Sequence, residues 1–193
     1  MTPRVALFTR YPDPGRAKTR LIPALGADGT AALHRRLTEP AVSVLRASAL
    51  PFELRVTGAP AEHFRTWLGE DVAVVDQGPG DLGGRLLRAT GTPPVILLGA
   101  DVPDLAVRHL QAAAAALQTH RTAIGSAEDG GDYLLGLAEP MPFLFAEMPW
   151  STDAVIASTM QRFEAQGVAP AVLETLADLD RPDDLRRWPG LLA

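Results

Sequence analysis

The sequence contains no cysteine. A disulfide framework, a thiolate nucleophile and any cysteine-ligated metal are therefore excluded, and a cytoplasmic location is the natural expectation. It also lacks any apolar run long enough to span a bilayer, and its N-terminus has no signal-peptide core. The alanine run at 112–116 lies inside an amphipathic stretch. Positive charge is not in excess: 18 Lys and Arg against 23 Asp and Glu give a formal net charge of −5. That balance argues against broad nucleic-acid binding. Internal repeats, low-complexity linkers and composition breaks are missing too, so residues 1–193 are expected to form a single domain. The chain is 47% apolar and 21% charged, which suits a globular protein and not a disordered, coiled-coil or collagenous one.

Apolar runs alternate with helical patterns almost to the C-terminus. Strands are expected at Val5–Phe8, Phe52–Thr57, Val72–Asp76, Val95–Leu98, Thr122–Ser126, Tyr133–Leu137 and Val172–Thr175. Helices are expected at about 28–49, with apolar spacing Leu33, Leu37, Ala41, Val44 and Leu45, and at Ala61–Leu68 and Leu82–Ala89. Further helices are read at Asp104–Thr119 with Asp104 as N-cap, and from Thr152 with Ser151 or Thr152 as cap. Pro182 starts a last helix. The run Val95–Leu98 is apolar throughout and reads as a central strand buried on both faces. Alternation of this kind predicts an α/β fold, a mostly parallel sheet with helices on both faces. The strand at Tyr133 follows its predecessor through a Gly-rich turn with no helix between, so it is free to run antiparallel and make the sheet mixed.

Four segments could carry chemistry. The first is Thr9-Arg-Tyr-Pro-Asp-Pro-Gly-Arg-Ala-Lys-Thr-Arg-Leu21, directly after the first strand. In open α/β sheets ligands bind beyond the carboxyl ends of strands. Gly15 lets backbone approach a ligand, and Arg10, Arg16, Lys18 and Arg20 supply charge for phosphate oxygens. The spacing is not that of a P-loop, and a solvated Pro-rich surface loop is the plain alternative. The second is Gly99-Ala-Asp101, where an aspartate at a strand end offers a hard oxygen to Mg²⁺ or Mn²⁺. A simple strand-to-helix turn would also use it. The third, Gln77-Gly-Pro-Gly-Asp-Leu-Gly-Gly-Arg85, has little side-chain bulk, so a base or ribose can lie against backbone; Asp81 is also a helix cap, and the segment could be a flexible connection. The fourth, Glu128-Asp-Gly-Gly-Asp132, clusters carboxylates in what also reads as a hairpin turn. Weaker signals are Trp150-Ser-Thr152, either a helix start or a substrate wall, and Asp178–Leu185, rich in caps and solvated charges. His34, His63, His109 and His120 lie in or beside helices without ligand spacing and read as surface or satisfied positions.

The order of these motifs is more specific than any one of them. The Thr9–Leu21 loop, Gln77–Leu86, Leu98-Gly-Ala-Asp-Val-Pro-Asp-Leu105, Glu128–Leu137, Trp150-Ser-Thr152 and Asp178-Leu-Asp-Arg-Pro-Asp-Asp-Leu185 together resemble a bacterial family of GT-A-like transferases. Its members are labelled arsenosugar-biosynthesis or selenodomain-associated glycosyltransferases, and the family is similar to small guanylyltransferases. The resemblance covers nearly the whole chain and implies a GT-A, nucleotide-diphospho-sugar-transferase-like fold. It also implies nucleotide contacts from Thr9, Arg10, Gly15, Lys18, Thr19, Arg20, Gln77, Gly78, Asp81, Gly83 and Arg85. Lys18, Arg20, Asp101 and Asp129 would be catalytic, and Asp101 and Asp180 would hold the metal. Gly130, Gly131, Asp132, Trp150, Ser151 and Thr152 would face the acceptor. The sequence departs from the family at Arg10, where lysine is usual, at Pro103, where a second metal aspartate would stand, and at Asp132, where an aromatic is usual.

These readings imply a metal-dependent transferase with Mg²⁺ or Mn²⁺, a nucleotide or sugar-nucleotide donor and a small-molecule acceptor. Nucleic acid and membrane are not expected partners, and a homodimer is an allowed assembly. Glycosyl transfer is the first expectation. Nucleotidyl transfer from an NTP to a phosphorylated acceptor, or nucleotide binding without turnover, are the alternatives.

Overall fold

The computed structural model describes residues 1–150 and 152–192. Seven strands form one sheet: β1 (Arg4–Arg10), β2 (Phe52–Thr57), β3 (Val74–Asp76), β4 (Val95–Gly99), β5 (Thr122–Ser126), β6 (Asp132–Leu137) and β7 (Ala171–Val172). Their spatial order is β3-β2-β1-β4-β6-β5-β7. β1 pairs in parallel with both β2 and β4, whereas β6 runs antiparallel between β4 and β5. The sheet is therefore mixed, as the helix-free turn before Tyr133 allowed.

Alternation along each strand sends side chains to two separate cores. Val5, Leu7, Leu54, Ile96 and Leu98 pack on one face against α1 (Ile22–Ala47), α2 (Ala61–Leu68) and α4 (Val107–Ala116). Ala6, Val95, Leu97, Leu135 and Leu137 pack on the other, beside α3 (Leu82–Thr90) and α5 (Val155–Ala165). A third cluster joins Leu21, Leu33 and Leu37 to Leu179 and Leu185, tying the start of α1 to the C-terminal segment. α1 begins earlier than its apolar spacing indicated, because a short helical stretch is merged with it across a non-helical Gly26.

Other elements also depart from the sequence reading, and β3 begins at Val74 where Val72 was expected. α4 begins at Val107, and Asp104 does not cap it. Residues 102–105 close a turn, from Leu105 N–H to the Val102 carbonyl, and the His109 ring accepts the Ala106 N–H at 2.9 Å. The Asp104 carboxylate instead accepts from Trp188 Nε1 at 3.2 Å. α5 starts at Val155 because the Ile156 N–H is drawn to the carbonyl of Gly130 at 3.0 Å. Thr152 sits ahead of it, its hydroxyl accepting the Ala154 N–H at 3.3 Å, and Ser151 lies outside the described residues. The last strand is only Ala171–Val172, prolonged by a single bridge from Ala127 to Leu176. Among the described residues no helix is long and apolar enough to cross a membrane.

Candidate functional site

β2 and β4 leave β1 on opposite sides, so the loops that follow their carboxyl ends diverge and open a crevice. A cleft of about 580 Å³ lies there, within the usual range for a ligand site. Because β6 is antiparallel, its first residue Asp132 reaches the same edge of the sheet. The crevice thus collects side chains from the basic loop after β1, the end of β4 and the turn that joins β5 to β6, with others from α1, the segment after β3 and the C-terminal segment.

Thr9 and Arg10 end β1 and are fixed from both sides. Gln77, buried after β3, donates its amide to the carbonyls of Thr9 (3.1 Å) and Arg55 (2.9 Å). From α1, His34 Nε2 lies 3.1 Å from the Arg10 carbonyl and 3.2 Å from the Thr9 hydroxyl, which also meets Thr38 at 3.3 Å. A carbonyl can only accept, so Nε2 carries the proton. Burial lowers the His34 pKa, the Asp101 charge opposing it, and the ring is neutral at pH 7. His34 Nδ1 and Arg10 Nε are buried without a partner among the described residues.

The centre of the cleft is an ion cluster. Lys18 adopts a left-handed backbone conformation (φ 51°) and turns its side chain inward, leaving it only 4% exposed. A non-glycine residue held there costs about 1–3 kcal/mol and persists only where its surroundings enforce it. Here the ammonium lies 2.8 Å from Asp101 Oδ1, 3.9 Å from Asp180 Oδ1 and 2.5 Å from the Leu179 carbonyl. Arg20 pairs with the other oxygen of Asp180. The C-terminal segment is delivered to this point by the Leu179 N–H, which donates to the Asp101 carbonyl at 2.9 Å. Desolvation works to raise the Asp101 carboxyl, but the charge and hydrogen bond of Lys18 prevail, with His34, and hold it below the usual carboxylate range.

The cleft is also acidic in part. Asp129, Asp132 and Asp178 line it, and among the described residues none of the three has an ion-pair partner. Burial raises Asp132 to about 6, helped by the Asp129 charge. Burial, then Asp129, raise Asp178 to about 6 as well. Trp150 and Tyr133 supply aromatic wall. The indole nitrogen of Trp150 is buried against Gly83 and has no partner among the described residues.

The structure gathers most of the residues that the sequence singled out. Thr9, Arg10, Lys18, Thr19, Arg20, Gln77, Asp101, Asp129, Gly131, Asp132, Trp150, Thr152 and Asp180 all line the cleft. Gly15, Gly78, Asp81, Gly83, Arg85 and Gly130 do not, and several have local duties instead. Asp81 caps α3 by accepting the Gly84 N–H at 2.8 Å, and Arg85 Nε donates to the Gly80 carbonyl at 2.9 Å. Gly130 has φ +90°, and a Cβ there would lie 2.3 Å from the Asp153 carbonyl oxygen, so only glycine lets the chain before α5 dock on this turn. Lining residues that the sequence reading left aside include His34, Thr57, Tyr133 and Asp178. His34 carried a readable signal: it shares a helical stripe with Thr38, Ala41 and Leu45, all buried. His109 is buried as well, its Nε2 3.2 Å from Glu174, while His63 and His120 are exposed.

A divalent cation suits the donor set. Asp101 and Asp180 present hard oxygens to one shared cation position, which their contacts with the Lys18 ammonium define. Among the described residues no three His, Asp or Glu side chains converge on a metal position, so water and ligand phosphates would have to complete a shell.

Over residues 41–152 the sequence matches a family described as uncharacterized protein conserved in bacteria (DUF2064). No curated protein matches the chain. Among solved structures, a Desulfovibrio desulfuricans G20 protein provisionally assigned as a nucleotide-diphospho-sugar transferase superposes with a TM-score of 0.88. It is 27% identical, and the match covers 100% of this chain and 97% of that one. A nucleotidyl transferase of Methanothermobacter thermautotrophicus gives a TM-score of 0.65 at 18% identity, covering 99% and 98%. Rv0371c of Mycobacterium tuberculosis H37Rv, solved in complex with manganese, gives 0.56 at 17% identity, covering 97% of each chain. The chain belongs to the bacterial DUF2064 family and is a transferase built on the GT-A, nucleotide-diphospho-sugar-transferase-like fold.

Proposed function

We propose that this transferase takes a nucleoside-diphosphate sugar as donor and passes the sugar to the hydroxyl of a small acceptor that carries no phosphate. The observation that carries the reading is that the cleft holds two kinds of charge. Arg10, Arg16, Lys18 and Arg20 line it, and so do Asp129, Asp132 and Asp178, with Asp129 close enough to act on both of the others. The basic residues suit a diphosphate. A phosphorylated acceptor, which nucleotidyl transfer would need, meets like charge at the three aspartates and is disfavoured.

In this reading Lys18 and Arg20 stabilise the charge that develops on the departing diphosphate, aimed in advance by the fold. Asp101 and Asp180 are the residues that would hold Mg²⁺ or Mn²⁺, and the manganese bound to Rv0371c is the precedent on this fold. Such an ion neutralises diphosphate charge when bound. Asp132 takes the proton of the acceptor hydroxyl. A base works best with a pKa near the operating pH, and burial has moved Asp132 to about 6. Asp129, with Gly131 N–H on its Oδ1 at 2.8 Å, supplies the neighbouring charge that keeps Asp132 basic. Gln77 and Thr57 line the side where base and ribose would rest, and Trp150 walls the acceptor.

The test is incubation with UDP-, GDP- and ADP-sugars, Mn²⁺ and a panel of small polyhydroxylated acceptors. Metal-dependent release of nucleoside diphosphate, abolished by Asp101→Asn, is the expected result. Release of pyrophosphate from GTP or CTP, with no turnover of any sugar donor, would overturn it.

A further inference from the structure

The residues that would hold the metal already hold a cation, and it is the protein's own. Lys18 is the one ammonium at the centre of the cleft, and it touches both carboxylates that the proposed reading assigns to the ion. We infer that Lys18 is a built-in competitor for the divalent cation, so that the free protein binds metal weakly and the metal position opens only when a phosphate group draws Lys18 away from Asp101 and Asp180. The inference rests on the reading of Asp101 and Asp180 as metal ligands, and its test uses no donor.

Three observations carry it. The first is contact: Lys18 Nζ lies 2.8 Å from Asp101, 3.9 Å from Asp180 and 2.5 Å from the Leu179 carbonyl. A divalent ion cannot share the two carboxylates with an ammonium at those distances, because like charges a few ångströms apart repel. The second is enclosure. The Lys18 side chain is 4% exposed, so a metal entering alone would strand a buried ammonium without its counter-charges, and that is strongly unfavourable. A phosphate changes the balance by giving Lys18 a new anionic partner as the carboxylates are released, and one ion pair replaces another. The third is the backbone. Lys18 sits in a left-handed conformation at the first residue before a short 3₁₀ turn, Thr19–Leu21, with no side-chain cap. A non-glycine residue there stores strain that its contacts must hold, so a modest relaxation of this one residue can swing the ammonium toward a ligand. Arg20 pairs with the other oxygen of Asp180 and is unchanged in every variant below, so its effect on that carboxylate is common to all of them.

The consequence is an order of events: metal enters with or after the nucleotide, never ahead of it. The probe is Mn²⁺ alone, titrated into nucleotide-free protein and followed by electron paramagnetic resonance. Wild-type protein is expected to bind weakly. Lys18→Met, which keeps the aliphatic stem and removes the charge, is expected to bind Mn²⁺ about tenfold more tightly or better, the scale on which an opposite charge within about 4 Å alters the occupancy of a carboxylate. Lys18→Arg keeps the charge and should stay weak. Asp101→Asn, added to Lys18→Met, should cancel the gain and so locate it. If Lys18→Met does not fold, Lys18→Gln keeps a donor for the Leu179 carbonyl and makes the same comparison. Mn²⁺ affinity in the neutral variant equal to or below that of wild type overturns the inference, whatever the donor assay shows. A tighter neutral variant alongside a protein that turns over no sugar nucleotide keeps it and removes only the proposed reaction.

Discussion

Asp132→Asn should make this protein more stable at neutral pH, and the gain should vanish in acid. In the folded chain burial, aided by the Asp129 charge, lifts the Asp132 carboxyl from 3.8 to about 6. The unfolded chain releases the same proton near the ordinary carboxylate value. Between roughly pH 4 and pH 6 the folded state therefore binds more protons than the unfolded state, and stability falls as pH rises. The favourable contribution is complete below the unfolded pKa and is lost as pH climbs through the folded one. A separation of about two units at about 1.4 kcal/mol each sets an upper value near 3 kcal/mol; partial exposure reduces it, leaving an expected gain of about 1–3 kcal/mol at pH 7.5. Asparagine has the same shape without the charge, so packing is preserved. Urea denaturation of both proteins at pH 4, 5, 6 and 7.5 reads the effect. The two curves should meet near pH 4 and separate with rising pH. A variant no more stable than wild type at pH 7.5, or a difference that does not change with pH, would refute the reasoning. The same variant should lose turnover, because the proposed base is gone.

Asp178→Asn should show a similar pH-dependent gain, since burial and Asp129 raise it too. The two gains should fall short of additive in the double variant, because both residues share Asp129 as a neighbour. Gly83→Ala places a Cβ 2.5 Å from the Phe145 carbonyl oxygen and 2.8 Å from Trp150 Nε1. It should lower stability by about 1–3 kcal/mol, seen as a drop in Tm, because a backbone oxygen cannot yield as a flexible side chain can. Gln77→Ala leaves the Thr9 and Arg55 carbonyls without their donor. A loss of about 1–3 kcal/mol in denaturation and a weaker Kd for UDP should follow. Raising salt from about 0.05 to 0.5 M should weaken UDP binding in isothermal titration, since partly exposed charges on the phosphate side are screened.

Much of this architecture was readable in one dimension. Phe52–Thr57 and Ala61–Leu68 occur where the pattern placed them, because two-residue and 3.6-residue periods leave distinct traces. Asp81 as cap of α3 was legible for the same reason, its partner lying only three residues away. The misplaced starts of α4 and α5 have non-local causes. Asp104 gave up capping for a tryptophan 84 residues on, and α5 begins where the Gly130 carbonyl takes a helix N–H. His34 was passed over because its stripe with Thr38, Ala41 and Leu45 marks a buried helix face and not a ligand contact. Its meaning comes from the strand end it touches.

The sequence by itself determined the α/β class, the central apolar strand, the basic loop after β1 and the set of aspartates from which a site could be drawn. Those follow from local periodicity, turn chemistry and motif order, all written within short windows. Only the tertiary structure decided which charges meet. Lys18 and Asp180 are 162 residues apart, and Leu179 folded against the start of α1 brings them to one point. The same packing turned Lys18 inward onto Asp101 and left Asp129 near both Asp132 and Asp178, none of the three in an ion pair among the described residues. Electrostatics depends on distance and burial, and neither exists until the sheet has closed its order around β1.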